Sequence, residues 1–316
     1  MHGTALPIET TSFEVEFGAE VSALGGAGQA LRLALPWLGG ARTEQLFPAA
    51  RWAGANQGFQ LWETDGLLIG ASVQRVGASL RRTTRELYGR LFRASVGWPL
   101  YRVWNYVPGI NDTVEGCENY HAFCEGRAEA FETLHGSGFK RALPSASAVG
   151  SDGEALAVVF VAGRKTPQHL ENPEQVPAYE YPREHGPRAP SFSRATVAET
   201  ESGRRLVFVS GTAAIKGHAT VAPGDLDAQL DCTLDNLRLI SRAAALGDAL
   251  GAEAAATRHF KVYLRDAATY RRVRDRLEAE LVQASDRVMY LQAEVCRAAL
   301  EVEIEATLAE RGLGKV

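Results

Sequence analysis

The sequence lacks an apolar run that could cross a bilayer, and it lacks a strong excess of charge of either sign. A spanning helix needs about 20 consecutive apolar residues. With 34 Lys and Arg against 38 Asp and Glu, the net charge is −4, which argues against a nucleic-acid-binding protein that works through bulk positive charge. The first residues contain no basic segment followed by an apolar core, so we expect no secretory signal and a cytoplasmic protein.

Cysteine is also scarce, and its spacing excludes the common zinc and redox motifs. The chain has four cysteines, Cys117, Cys124, Cys232 and Cys296, and none of them form a CxxC pair. The gap between Cys117 and Cys124 is not a zinc spacing. We therefore expect reduced thiols in a reducing compartment, no metal site and no organic cofactor.

The length and composition predict a globular protein of one large domain or two ordinary ones. The chain has 316 residues, of which 46% are hydrophobic and 23% are charged. A proline-rich stretch over residues 165–190 predicts a connection, which divides the chain into an N-terminal α+β domain (1–175) and a C-terminal domain (176–316). The second half is predicted as strand, helix, strand, helix, strand, strand, an α+β or α/β arrangement of a sheet with two helices.

Residues 290–305, near the end of the chain, are predicted to form two alternating strands joined in a tight hairpin. On the second strand, Glu301, Glu303 and Glu305 share one face, opposite three apolar residues. Three carboxylates on one face are typical of a solvated surface. The alternative is that one of them points into a pocket and acts as an acid.

Two groups of cations could recognise an anion. Arg127 shares a predicted helix face with the aromatic residues Tyr120, Phe123 and Phe131, where it either snorkels to solvent or clamps an anion in a pocket. A proline-stiffened loop carries Tyr181, Arg183, Arg188 and Arg194. Several guanidinium groups beside a phenol suit carboxylate recognition.

Four segments of the second half resemble the YjgF/RidA family: FVSG at 208–211, DNLRLI at 235–240, FKVYLRD at 260–266 and LEVEIEA at 300–306. This resemblance implies an α+β domain in which two helices pack on one face of a sheet. RidA proteins carry a carboxylate-binding arginine near the start of the last hairpin, where this chain has Tyr290. That difference argues against an imine deaminase.

A more extensive resemblance is to the chorismatases, which combine a RidA-like half with an extra N-terminal domain. The matching segments are WNYVPGIN at 104–111, YHAFCEGR at 120–127, GPRAPSFSRA at 186–195 and SGTAAIKGH at 210–218. Cys296, seven residues before Glu303, is the fifth match. Where the family is expected to have tyrosine before Gly-Pro-Arg, this chain has His185.

The resemblance implies an enzyme that cleaves the enolpyruvyl ether of chorismate to pyruvate and 3-hydroxybenzoate. Glu303 would be the general acid, and Cys296 would steer the product. In the family, a glycine or an alanine in the turn after the buried strand distinguishes the product types. This chain has both residues there, Gly211 and Ala213, so the marker is ambiguous. The alternatives are a hydrolase that forms a dihydroxycyclohexadiene carboxylate, an enzyme that forms both 3- and 4-hydroxybenzoate, a RidA-like imine deaminase and a non-enzymatic binding protein.

Chorismate carries two carboxylates, so two cationic clamps are expected. Arg127 with Tyr120 could hold one carboxylate, and Arg188 and Arg194 with Tyr181 could hold the other. The expected partner is this small molecule alone, without nucleic acid or membrane. Because a second domain could complete the fold and the site within one chain, we expect a monomer.

Overall fold

The computed structural model describes residues 12–26, 29–252 and 256–310. Its helices are α1 (Leu80–Ala94), α2 (Asn119–His135), α3 (Leu226–Ala243) and α4 (Tyr270–Glu280). Its strands are β1 (Val15–Phe17), β2 (Ala23–Leu24), β3 (Leu31–Leu33), β4 (Trp37–Gly40), β5 (Thr43–Glu44), β6 (Arg51–Asn56), β7 (Phe59–Thr64), β8 (Leu67–Arg75), β9 (Leu100–Pro108), β10 (Thr113–Val114), β11 (Cys117–Glu118), β12 (Ser145–Ser151), β13 (Ala155–Gly163), β14 (Gln168–Leu170), β15 (Ala195–Glu199), β16 (Arg205–Ala213), β17 (Ile215–Lys216), β18 (Ala219–Thr220), β19 (Ala256–Leu264), β20 (Arg287–Gln292) and β21 (Val302–Glu310).

Two large sheets form the body of the molecule. One is six-stranded, in the order β12-β9-β13-β8-β7-β6, and the other is seven-stranded, in the order β14-β15-β16-β21-β19-β20-β4. Both are mainly antiparallel, but β12 runs parallel to β9 and β20 runs parallel to β19. A four-stranded sheet, β2-β3-β1-β5, contributes Val15, Phe17 and Leu31 to the core shared by the two large sheets.

Helices α1 and α2 cover the outer face of the six-stranded sheet. Helix α1 begins after Ser79, whose hydroxyl accepts a hydrogen bond from the Arg82 amide and caps the first turn. Leu87 of α1 and Phe131 of α2 are buried with Val103 of β9 and Phe160 of β13 in one apolar cluster.

Helices α3 and α4 cover the outer face of the seven-stranded sheet. Leu234 of α3 and Leu277 of α4 are buried with Val207, Phe260 and Ile304 of the sheet. This arrangement confirms the predicted α+β fold, with two helices on one face of the second-half sheet.

The inner faces of the two large sheets pack against each other, and alternation along their strands directs polar side chains between them. On β21, Val302 and Ile304 face α3 and α4, whereas Glu303 and Glu305 are buried on the inner side. On β9, Trp104 faces the same interior, where its indole N–H donates to Glu305. The glutamate face is therefore not a solvated surface.

The hairpin predicted over residues 290–305 is wrong. Strand β20 pairs with β19 and β4, and β21 pairs with β19 and β16, so β19 separates the two strands. Residues 293–301 form a connection in which Val295 bridges Val149 of the other sheet, and the Glu294 carbonyl accepts from the Gly150 amide. Burial of Val295 and Leu300 between the sheets favours this path over a tight turn.

The division of the chain at residue 175 stays a prediction. Strands β4 and β14, which precede that residue, lie at the two edges of the seven-stranded sheet.

None of the helices in the described residues is long and apolar enough to cross a membrane. The four cysteines are all free thiols.

Candidate active site

A cavity of about 320 Å³ lies between the two large sheets, within the range of small-molecule sites. Its walls come from α2, β12, the 181–194 loop, the end of β16, the 293–301 connection and β21. The lining includes Tyr120, Arg127, Ser147, Tyr181, Arg194, Gly211, Ala213, Cys296, Arg297 and Glu303. The cavity is thus lined by residues that lie far apart in the sequence.

Eight of the nine site residues predicted from the sequence line this cavity, and Arg188 does not. Arg188 is 41% exposed in its side chain and forms an ion pair with Glu132 of α2. Sequence analysis missed Arg297, whose side chain lines the cavity. Its position next to Cys296 could have indicated that Arg297 lies in the site, but the predicted hairpin gave it no such position.

Glu303 is the acidic group of the cavity. It is only 3% exposed, and among the described residues its Oε1 has no hydrogen-bond partner. Burial, followed by the nearby Glu305 charge, raises the pKa of Glu303 to about 8, although Arg102 and Arg194 act to lower it. At neutral pH this carboxyl group is therefore mostly protonated and can donate a proton.

Glu305 is held in the opposite protonation state by a buried network. It accepts hydrogen bonds from Arg102, Trp104 and Ser147, and its Oε1 lies 3.0 Å from Lys261 Nζ. Burial acts to raise the pKa of Glu305, but the charges of Lys261 and Arg102 more than offset this, so the pKa is lowered. Two glutamates on one strand face therefore differ in charge because their partners differ.

Gly211 gives the Glu303 carboxyl group the space that it occupies. A Cβ atom at position 211 would lie 2.0 Å from Oε1 and 2.5 Å from Cδ of Glu303. Strand β16 changes register against β21 between Val209 and Thr212, which brings the Gly211 backbone to this position. Any side chain at residue 211 would displace the acid.

Three guanidinium groups line the same cavity and retain unused donors. Among the described residues, Arg127 Nε and Nη2, Arg194 Nε and Arg297 Nη2 are buried without a hydrogen-bond partner. Arg194 also donates to the Tyr181 hydroxyl at 2.6 Å, and Arg297 Nη1 donates to the His218 carbonyl at 2.8 Å. Because unpartnered buried donors are costly, these atoms indicate an anionic ligand.

Cys296 contributes a neutral group. Burial and, secondarily, the Glu303 charge raise the pKa of the Cys296 thiol to about 12. Burial likewise raises the pKa of Cys124 to about 12 and that of Tyr120 well above its usual value. All three groups line the cavity in their protonated forms, so they present weak donors and apolar surface rather than charge.

One group of possible metal ligands occurs in the part of the chain that the structure describes. It consists of Glu184, His185 and His218, of which the first two also line the cavity. Sequence spacing could not reveal this group, because 33 residues separate the two histidines.

Comparisons with known proteins agree with this geometry. The family described as "Chorismatase FkbO/Hyg5-like, N-terminal" matches residues 47–162. A chorismatase from Streptomyces hygroscopicus is 38% identical over 270 residues, covering 81% of this chain and 76% of that protein. A 3-hydroxybenzoate synthase from the same species is 41% identical over 217 residues, covering 66% of this chain and 63% of its own length.

A solved structure extends the similarity to the whole fold. A chorismatase crystal structure matches with a TM-score of 0.77 and 29% sequence identity, and the match covers 96% of each chain. The identity over most of both sequences, together with the shared fold, shows that this chain belongs to the chorismatase family.

Proposed function

We propose that this enzyme cleaves the enolpyruvyl ether of chorismate and releases pyruvate and 3-hydroxybenzoate. One observation carries the proposal: the buried Glu303 carboxyl group, whose pKa is raised, lines the same cavity as the unpartnered donors of Arg127, Arg194 and Arg297. Chorismate is a dianion that needs both features, two carboxylate anchors and an acid. The relatives named chorismatase and 3-hydroxybenzoate synthase support the same assignment.

The guanidinium groups bind the two carboxylates of the substrate. Arg127 approaches from α2, with its Cζ over the Tyr88 and Phe131 rings at 5.2 and 5.7 Å. Arg194 comes from the 181–194 loop and Arg297 from the 293–301 connection, and Tyr181 contacts both. The two proposed clamps are therefore Arg127 with Tyr120, and Arg194 and Arg297 with Tyr181, with Arg297 in place of Arg188.

Protonation of the enolpyruvyl methylene carbon by Glu303 begins the reaction. The ether-bearing carbon becomes an oxocarbenium ion, and Glu303 becomes a carboxylate that stabilises it electrostatically. The proton is available at neutral pH because burial and the Glu305 charge raise the pKa of Glu303 to about 8. No other reactant is needed for this step.

The second stage sets the product. The 4-hydroxyl oxygen of the substrate attacks the ring carbon that carries the ether, and that carbon–oxygen bond breaks as pyruvate leaves. The hydroxyl proton passes to the Glu303 carboxylate, and the epoxide-like intermediate opens and rearranges to 3-hydroxybenzoate. The substrate and the two products balance without water. The role of the neutral Cys296 thiol is to occupy the space that water would need for hydrolysis.

Product identification tests this proposal against its rivals. Chorismate is incubated with the pure protein, pyruvate is followed with lactate dehydrogenase, and the ring product is identified by chromatography. We expect equal amounts of pyruvate and 3-hydroxybenzoate. A dihydroxycyclohexadiene carboxylate indicates the hydrolase, a 3- and 4-hydroxybenzoate mixture indicates the dual type, and absence of pyruvate above the spontaneous rate contradicts the proposal.

A monomer and a cytoplasmic location form part of the same proposal. The proposed acid, the three guanidinium groups and Cys296 all lie on one chain, so the proposed reaction uses no residue from a second copy. The free thiols suit a reducing compartment. Light scattering after size-exclusion chromatography tests the first point, since a larger assembly at working concentration contradicts it.

A further inference from the structure

A group outside the proposed reaction lies at the rim of the cavity, where Glu184 and His185 meet His218. His185 Nε2 lies 2.9 Å from His218 Nδ1. Glu184 Oε1 lies 3.4 Å from the first of these nitrogens and 3.2 Å from the second. Three potential metal-ligand atoms therefore form a nearly equilateral triangle.

The size of this triangle matches one face of a tetrahedral zinc site. With zinc–ligand bonds of about 2.0–2.1 Å, the ligand atoms of a tetrahedron are about 3.3–3.4 Å apart. The three separations here, 2.9 to 3.4 Å, differ from this by a few tenths of an ångström at most. The two imidazole nitrogens are also at hydrogen-bond distance from each other, so a bound cation would replace the proton that they share.

The backbone on both sides holds the histidines in place. His218 occupies the two-residue loop between β17 and β18, where Gly217 has a φ of +55°, and Arg297 binds the His218 carbonyl. The Gly217 amide donates to Glu174, and the Gly217 carbonyl accepts from Val176. His185 ends a 3₁₀ turn, and its amide donates to the Pro182 carbonyl.

We propose that Glu184, His185 and His218 bind a divalent transition-metal ion, with zinc as the best fit, at the rim of the cavity. Two imidazoles and one carboxylate form a donor set that proteins use for zinc with one open coordination position. The Glu184 carboxylate offsets one of the two positive charges of the metal ion. This offset is needed because the positively charged Arg297 guanidinium, which binds the His218 carbonyl, would repel the ion. This site is separate from the acid Glu303 and takes no part in the proposed cleavage.

Zinc titration of the chelator-treated full-length protein by calorimetry tests the proposal. We expect one zinc ion per chain, and at least a tenfold weaker affinity in each of His185→Gln and His218→Gln. His135→Gln is the matched control, because His135 at the end of α2 contacts Phe92 and Phe131 instead, and its zinc affinity should be unchanged. Circular dichroism establishes that each variant is folded.

Cobalt provides a second readout that does not depend on catalysis. Four-coordinate Co²⁺ absorbs visible light strongly, so we expect this absorption in the wild type and its loss in His218→Gln. Absence of zinc binding, or affinity that is equal in the wild type and both rim variants, would overturn the proposal. Because no readout uses chorismate, either result leaves the proposed function untouched.

Discussion

Replacing Glu305 by Gln should shift the pH dependence of the enzyme, because Glu305 is the charged neighbour of the proposed acid. Glutamine keeps the size and the acceptor oxygen but removes one negative charge beside Glu303. It also leaves Arg102 and Lys261 without that counter-charge. Both changes favour ionised Glu303, so the pKa of Glu303 should fall.

The size of the change follows from the strand geometry. Residues two apart on a strand lie about 7 Å from each other. At an effective dielectric constant of about 20, two unit charges at that distance repel by about 2.4 kcal/mol, equivalent to about 1.7 pKa units. The pKa of Glu303 should therefore fall from about 8 to about 6. At pH 7 the protonated fraction should drop from about nine-tenths to about one-sixth.

The assay is the pH profile of kcat/KM for pyruvate release. A general acid works below its pKa, so the basic limb of the profile should move to lower pH by about 1.7 units in Glu305→Gln. Glu44→Gln is the matched control, because Glu44 also pairs with buried Lys261, at 2.8 Å, but is not among the charges that shift Glu303. A folded Glu305→Gln enzyme with an unmoved basic limb would show that the Glu305 charge does not raise the pKa of the catalytic acid.

Three further substitutions test the remaining parts of the cavity. Arg297→Gln removes a charge-assisted contact of about 1.5–3 kcal/mol, so the KM for chorismate should rise about 10- to 100-fold. Arg188→Gln is the control and should leave the KM unchanged. Equal effects of the two substitutions would contradict the assignment of Arg297 as a carboxylate-binding residue. Gly211→Ala places a Cβ 2.0 Å from Glu303 Oε1, so kcat should fall about 100-fold, whereas wild-type kcat would show that the acid needs no such space. Cys296→Ala opens room for water, so chromatography should show a shift toward the dihydroxycyclohexadiene carboxylate; an unchanged product ratio would count against steering by the thiol.

The alternation of β21 was predictable from the sequence, but the surroundings of its glutamates were not. The pattern correctly placed Glu303 and Glu305 on one face. That this face is buried depends on Arg102 and Trp104, which belong to β9, about 200 residues earlier in the chain. Local periodicity cannot report such a partner, so the pattern alone favoured a solvated face.

The errors have the same physical origin. The 293–301 connection avoids a hairpin because Val295 pairs with Val149 of the opposite sheet, a contact that competes with the local turn. Arg188 leaves the site because Glu132 of α2 binds it at the surface. Family resemblance located the other cavity residues because it carries information about tertiary position that composition and spacing lack.

The most direct test of the central claim is pyruvate release from chorismate by Glu303→Gln. Glutamine fills the same space beside Gly211 but cannot supply the carboxylic proton. With folding verified by circular dichroism and binding verified by chorismate-dependent thermal stabilisation, we expect pyruvate release at the spontaneous rate. Release at a rate near that of the wild type would contradict the assignment of Glu303 as the acid.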